Sequence, residues 1–392
     1  MSGGATSRSR RPSGPDARRT ALEVLVRIDT EGAYANIALP HALDRSRLEA
    51  RDRAFVTELV YGVTRMRRAL DHLIDRFLLR PVEPPVRAAL RLGAHQLHLL
   101  GTPAHAAVSA TVEVAPPRAR GLVNAVLRRV AAEPVPDRVG PGAWPDVATR
   151  LSYPDWIVER LVADLGEDDA LGALEVMDDP AAATERGDGY VQDVASQLVA
   201  ELVAAGPGDL VADVCAAPGG KATALAAVGA YVVAGDRREV RVGLVRDNVE
   251  RLGHGGSVAL LVADGRRPPL RAGAFDRVLV DAPCSGLGSL RRRPDARWRI
   301  EADAVDRLAT LQVELVLAAA ELVRPGGTLV SSVCTLTRAE TLDVDAAVAA
   351  ARPDLEPLPP PTGPWHRWGR GAILLPQAAG TDGMAVVSYR RR

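Results

Sequence analysis

The sequence predicts two architectures in one chain: an all-α domain, then an α/β domain built on a mostly parallel wound sheet. Three observations predict it. From Ala17 to about Val130, apolar residues recur at intervals of three and four, as in 21–28, 55–65 and 86–100, with no strand-like alternation of useful length. From Asp209 onward, short apolar runs alternate with longer helical stretches, the pattern of a parallel sheet wound by helices. Each of those short runs is followed by a polar or reactive residue, namely Asp213, Asp236, Asp264, Asp281 or Cys334. Open α/β sheets bind ligands at the carboxyl ends of their strands, so five such residues at five such ends mark a site.

In chain order, residues 1–16 are rich in Ser, Gly and Arg and are expected to form a disordered basic tail. The helical domain is expected over 17–133. Pro134, Pro136, Pro141 and Pro145 mark a linker within a connector over 134–190, whose helices are interrupted by the polar stretch 178–189. The α/β domain then runs over 191–392. Its strands are expected at 210–214, 231–235, 258–262, 277–280 and 328–333, with helices near 221–229, 237–252 and 303–323.

Net charge is zero but unevenly spread. Residues 1–130 hold 21 arginines against 12 acids, whereas residues 131–209 hold 4 arginines against 17 acids. A basic first third suits a polyanion, because Arg forks bind phosphate bidentately. A solvated face in an Arg-rich chain explains the same numbers, so charge alone leaves both readings open. Three cysteines argue against a disulfide framework and for a reducing cytoplasm. No apolar run reaches the ~18 residues of a membrane span.

All three cysteines and the one lysine fall in three short motifs: Asp213-Val-Cys215-Ala216-Ala217-Pro218-Gly219-Gly220-Lys221, Asp281-Ala-Pro-Cys284-Ser-Gly and Ser331-Ser-Val-Cys334-Thr. With 48 arginines against one lysine, Lys221 is hard to explain as surface filler. The glycines let backbone approach a ligand closely, and Ala216 and Ala217 leave room for it. The loop is neither a Walker A nor a GxGxxG motif, which disfavours a triphosphate. Asp236 can accept both hydroxyls of a ribose, and Asp264 can meet an adenine amino group; as an ordered set they imply an adenosine-containing cofactor. The histidines and cysteines lack metal-ligand spacing, so no metal is expected. Cys284 and Cys334 follow neighbouring strands, and two thiols at a cofactor's edge allow nucleophile-plus-base chemistry. The basic stretch 291–299, with Arg292, Arg297 and the interleaved Trp298, suits a nucleic-acid strand, or equally a basic loop anchored by its tryptophan.

These three motifs resemble those of the S-adenosylmethionine-dependent RNA 5-methylcytosine methyltransferases. Further matches are Gln192-Asp193 with Ser196-Gln197, Leu311-Gln312 and Gly380-Thr-Asp-Gly-Met384. The first domain resembles the NusB-like RNA-binding domain through Asp52-Arg53, Tyr61-Gly62, Arg91-Leu-Gly93, His105-Ala-Ala-Val108 and 121–128, which ends at Arg128. In this order the pair is similar to the RsmB/Sun (Fmu) branch, which methylates small-subunit (16S) rRNA. The resemblance implies a Rossmann-like methyltransferase domain that binds S-adenosylmethionine through Cys215 to Lys221, Asp236, Asp264 and Asp281. It also implies Cys334 as nucleophile, Cys284 as the group that helps release product, and Asp281 as a contact to cytosine N3. Arg53, Arg91, Arg128, Arg292 and Arg297 are the expected RNA contacts. Relatives usually carry an extra α/β RNA-binding subdomain before Gln192-Asp193, which here shrinks to the polar stretch 178–189. They also often have an aromatic where Ser331 stands.

The expected protein is therefore a cytoplasmic, monomeric enzyme acting on RNA, with neither membrane nor DNA as partner. Two rivals remain open: a tRNA cytosine methyltransferase, and a non-catalytic RNA-binding or ribosome-assembly factor.

Overall fold

The computed structural model describes residues 14–133 and 144–392. Residues 1–13 of the expected tail, and Pro134, Pro136 and Pro141 of the expected linker, lie outside the described residues. The chain divides into two compact units. One comprises residues up to Asp155 together with Arg293–Trp298, and the other Trp156–Arg292 with Arg299–Arg392.

The first unit is helical: α1 (Gly14–Thr30), α2 (Ala35–Arg45), α3 (Ala50–Arg65), α4 (Arg67–Asp75), α5 (Pro84–His98), α6 (Ala104–Val114), α7 (Arg120–Ala132) and the short α8 (Val147–Arg150). α5 opens on Pro84 and Pro85, whose missing N–H groups cost nothing in a first turn. The apolar stripes read from the sequence converge on one core, where Leu59, Leu70, Ile74, Leu90, Leu92 and Leu127 are fully buried.

Two expected RNA contacts lie inside this unit. Arg91 Nε and Nη2 each donate to Asp71 at 2.7 Å, and Nη1 donates to Asp29 at 2.8 Å, so one buried guanidinium pins α5 to α4 and α1. Arg297 is 0% exposed, with its guanidinium 3.7 Å from the ring centre of Tyr153 and Nη1 donating to the Ser152 carbonyl at 3.3 Å. Beside it, Trp298 Nε1 donates to the Thr64 carbonyl at 2.7 Å. The expectation that Arg91 and Arg297 touch RNA is corrected here: both guanidiniums are spent on internal partners. Arg128 is exposed, and Arg53 is half-buried with its Nη2 3.3 Å from Asp44.

The second unit starts with α9 (Asp155–Leu165), α10 (Glu167–Val176) and α11 (Val194–Leu202), the last capped by Asp193, which accepts from the Ala195 N–H at 2.9 Å. The wound sheet follows: β1 (Leu210–Asp213), α12 (Gly220–Ala227), β2 (Tyr231–Asp236), α13 (Glu239–Arg251), β3 (Val258–Val262), β4 (Phe275–Asp281), α14 (Ala302–Leu322), β5 (Val323–Val333) and α15 (Leu342–Ala351). It closes with β6 (Leu355–Pro357), β7 (His366–Trp368), β8 (Gly371–Leu374), α16 (Pro376–Ala379) and β9 (Met384–Arg391). The strand order is β3-β2-β1-β4-β5-β9-β8-β7, with β6 also on β9. β1 to β5 pair in parallel, whereas β9 lies antiparallel on β5. Chain order reverses between β1 and β4, which makes the carboxyl ends of those two strands the switch point where such folds bind ligands. Among the described residues no helix is long and apolar enough to cross a membrane.

The Arg91 cluster is the most exposed to a single change. Arg91→Ala leaves Asp71 and Asp29 only their longer contacts, to Arg87 at 3.4 Å and Arg67 at 3.6 Å, and losing charge-assisted hydrogen bonds of this kind should cost about 1.5–3 kcal/mol. Guanidinium denaturation followed by circular dichroism measures it, and a loss below about 1 kcal/mol would mean the cluster behaves as a surface pair.

Candidate active site

The site is built on the carboxyl ends of β1, β4 and β5. After β1 the chain turns through Cys215–Gly219 into α12. Gly219 has φ of +107°, and a side chain on Gly220 would come within 2.9 Å of Tyr190 and 3.0 Å of Gln192. Both glycines are therefore demanded by backbone shape and close approach. The interrupted connector packs on this same turn. Arg186 donates to the Gly220 carbonyl and, at 3.1 Å, to Thr223 Oγ1, and its guanidinium lies 4.8 Å from the ring centre of Tyr190.

Lys221, in the first turn of α12, reaches across to β4. Its Nζ donates to Asp281 Oδ2 at 2.7 Å, and Asp281 Oδ1 accepts from Ser332 Oγ of β5 at 2.9 Å. Burial opposes the Lys221 charge. The charge and hydrogen bond of Asp281, with the charges of Asp213 and Cys334, outweigh burial and raise the amine's pKa. Asp213, at the end of β1, is 1% exposed, and both its carboxylate oxygens are buried without a hydrogen-bond partner. Burial first, then the Asp281 charge, push its pKa up to about 7 against the pull of Lys221.

β4 and β5 run side by side in parallel with Asp281 level with Ser332. The loops that follow emerge together, and Cys284 Sγ lies 3.3 Å from Cys334 Sγ. The Cys284 loop then crosses the Cys334 loop: the Gly288 N–H donates to the Cys334 carbonyl at 3.0 Å, and the Gly383 N–H donates to the Gly288 carbonyl at 2.8 Å. Ser289 Oγ donates to the Gly286 carbonyl at 3.1 Å and lies 3.8 Å from Cys334 Sγ. The Cys284 thiol is pushed well up, first by its hydrogen bond to Cys334, then by burial and by the charges of Cys334, Glu340 and Asp281. Cys215, by contrast, is 69 residues from Cys284 in sequence and is not in this pair; burial and then Asp213 push its thiol up too.

The other expected donor-site residues are distributed along the strand ends. Asp236 is buried, accepts from the Arg238 N–H at 3.0 Å and lies 3.3 Å from Arg241 Nε, whose Nη2 donates to the Ala217 carbonyl. Asp264 is held by Arg266 at 2.7 Å, and that hydrogen bond first, with the Arg266 backbone N–H, lowers its pKa to about 2. A cleft at the ends of β1 to β3 is lined by Asp213, Gly235, Leu261 and Ala263. Arg292 is half-buried, donating to Asp193 at 2.5 Å and lying 3.1 Å from Asp382. Sequence reasoning placed Asp213 at a strand end and at the start of a motif without giving it a role of its own, and missed Glu340 altogether. The signal for Glu340 is faint, a lone acid among Thr335, Thr337 and Thr341.

Comparison with known proteins adds the family. Residues 200–390 match the model of the 16S rRNA methyltransferase RsmB/F family, and residues 15–132 match the NusB family. The ribosomal RNA small subunit methyltransferase B of Thermus thermophilus is 37% identical over 95% of this chain and 97% of its own. A protein of Mycobacterium tuberculosis named as a methyltransferase is 37% identical over 97% of this chain and 98% of its own. That alignment runs over 452 residues against a chain of 392, so this relative carries residues with no counterpart here. The crystal structure of PH0851 shares the fold, with a TM-score of 0.77 and 20% identity over 96% of this chain and 99% of that one. The chain belongs to the RsmB/F family of 16S rRNA methyltransferases and is, as a member, an S-adenosylmethionine-dependent RNA methyltransferase.

Proposed function

We propose that the enzyme methylates C5 of a cytosine in small-subunit (16S) rRNA through a covalent bond between Cys334 and C6 of the base. The observation that carries this reading is the thiol pair, 3.3 Å apart and directly beside the Lys221–Asp281 ion pair. Cytosine C5 is a poor nucleophile, and one thiol alone could add to the ring but would leave no second group to help undo the addition. Two thiols within contact distance fit a reaction that needs both.

The roles divide by environment. Cys334 lies in the field of the protonated Lys221, the kind of neighbour that makes a thiol a better nucleophile. Cys284, with its raised pKa, keeps its proton beside that thiol. The Cys334 sulfur adds to C6 and makes C5 enamine-like. The Lys221–Asp281 pair, steadied by Ser332, supplies the proton that N3 takes up as negative charge develops on the ring and recovers it when the Cys334–C6 bond breaks. After C5 has taken the methyl group, Cys284 gives its own proton to solvent and helps take the proton from C5, and the Cys334–C6 bond breaks with its electron pair returning to the Cys334 sulfur. The base has to leave its stack to reach this pair.

S-adenosylmethionine, when bound, supplies an electrophilic methyl group on a sulfonium centre. The residues present suit it. Cys215, Ala216, Ala217, Pro218, Gly219, Gly220 and Lys221 would form the cradle, with Asp236, Asp264 and Asp281 around it. Asp213 adds a buried carboxylate whose oxygens meet no side-chain hydrogen-bond donor among the described residues, and a cationic ligand would be favoured beside it. For the RNA, the exposed Arg128 and the half-buried Arg53 stay in the proposed contact set, whereas Arg292, like Arg91 and Arg297, is spent on internal partners, Asp193 and Asp382.

Cys334→Ala should abolish methyl transfer. Cys284→Ala should instead accumulate a protein–RNA adduct that survives denaturing electrophoresis, because release stalls; an adduct in Cys334→Ala would reverse the two roles. Asp213 gives a pH test. Its folded-state pKa of about 7 lies above its unfolded value of roughly 3.9. The stability tied to its proton is therefore fully present below about pH 4 and lost as pH rises through about 7. Between pH 5 and 8 the denaturation midpoint of Asp213→Asn should fall less than that of the wild type, and equal slopes would contradict the assignment.

A further inference from the structure

We propose that Glu340 is the positioning residue that sets the spacing of the two thiols. It lies on the turn between β5 and α15, is 1% exposed, and both its carboxylate oxygens are fully engaged. Oε1 accepts from the Ser285 N–H at 2.7 Å and from Gln312 Nε2 at 3.1 Å. Oε2 accepts from Ser285 Oγ at 2.5 Å and from Thr335 Oγ1 and Thr337 Oγ1, each at 3.0 Å. Ser285 is the residue after Cys284, and Thr335 is the residue after Cys334. One carboxylate thus grips the chain next to each thiol. Ser285 Oγ and Thr335 Oγ1 also lie 2.8 Å from each other, closing a triangle between the two loops.

The grip extends to the other side of Cys284. Gln312, on α14, donates to the Pro283 carbonyl at 3.0 Å as well as to Glu340. The Cys284 loop is therefore held before and after its thiol, and the anchor is a long helix rather than another loop. Five donors saturate the roughly four lone-pair sites of this buried carboxylate. They converge from three separate segments, so their joint effect is geometric: two loops that could part are held at one separation. Glu340 touches neither reacting thiol; its charge helps raise the Cys284 pKa, and its hold on their spacing acts through the residues that flank them.

The inference rests on the reading of the pair as the reaction centre for its catalytic consequence, but its geometric part can be tested without it. Diamide oxidises two adjacent thiols to a disulfide and takes up their two protons and two electrons. The rate of Cys284–Cys334 disulfide formation, read by mass spectrometry of the full-length protein, therefore reports thiol spacing whether or not the protein methylates anything. Glu340→Ala should slow disulfide formation and, at saturating donor, lower kcat about a hundredfold, the scale of an ångström-sized misplacement. The KM for S-adenosylmethionine should stay within about twofold, since the grip lies outside the donor cradle. Glu340→Gln, which keeps an acceptor for the Ser285 N–H, should recover part of both losses. Should Glu340→Ala fail to fold, Thr335→Val removes one link at constant shape and should slow the same oxidation. Wild-type disulfide rates in a folded Glu340→Ala, or in Thr335→Val where that variant is the one that folds, would overturn the proposal. Absence of methyl transfer in the wild type would instead sink the catalytic reading and leave the spacing result standing.

Discussion

The parallel pairing of β4 with β5 is the constraint on which the rest of the site depends. With Asp281 level with Ser332, the two strands end together, and whatever follows them must emerge side by side. Residues 50 positions apart in sequence are thereby brought to 3.3 Å. A shift of one residue in that register would turn every side chain of the displaced strand to the opposite face. The strand pairing is itself fixed by burial on both faces, where Val278, Leu279 and Val280 face Leu329 and Val330 in the core.

Electrostatics then differentiate groups that the fold has merely collected. One ammonium, Lys221, serves a neighbourhood holding Asp213, Asp281 and Cys334. Asp281 takes it by direct contact, and Asp213, buried at the end of β1, is left with a raised pKa. The thiols are also distinguished, since Cys334 interacts with the ammonium whereas Cys284 is pushed toward keeping its proton. Arginine, abundant everywhere else in this chain, could not replace Lys221 easily here. Its planar fork is bulkier, and a compact ammonium fits the gap between α12 and β4.

Much of this was legible in the sequence. Strands buried on both faces read as short continuous apolar runs, so β1 to β5 and the loops after them could be placed, and with them both thiols and the glycine turn. β5 begins earlier than its apolar run because Pro325-Gly326-Gly327 reads as a turn, whereas the strand passes through those residues with a local irregularity against β4. The antiparallel strands β6 to β9 were not legible, since three of them are only three or four residues long and their pairing is non-local. Arg91 and Arg297 show a deeper limit. An arginine in a basic segment looks solvated until the partners that bury it, here Asp29 and Asp71 or Tyr153, are brought in from distant positions. Glu340 escaped for the same reason, because five donors from three segments leave no local pattern.

The most direct measurement is of the RNA itself. Small-subunit rRNA from cells lacking this gene would be incubated with the enzyme and isotopically labelled S-adenosylmethionine, digested, and mapped by mass spectrometry, with tRNA treated in parallel. The account predicts label as 5-methylcytosine at a small-subunit rRNA site and none when Cys334→Ala replaces the wild type. Label confined to tRNA, label at an atom other than C5, or unchanged labelling by Cys334→Ala would contradict it.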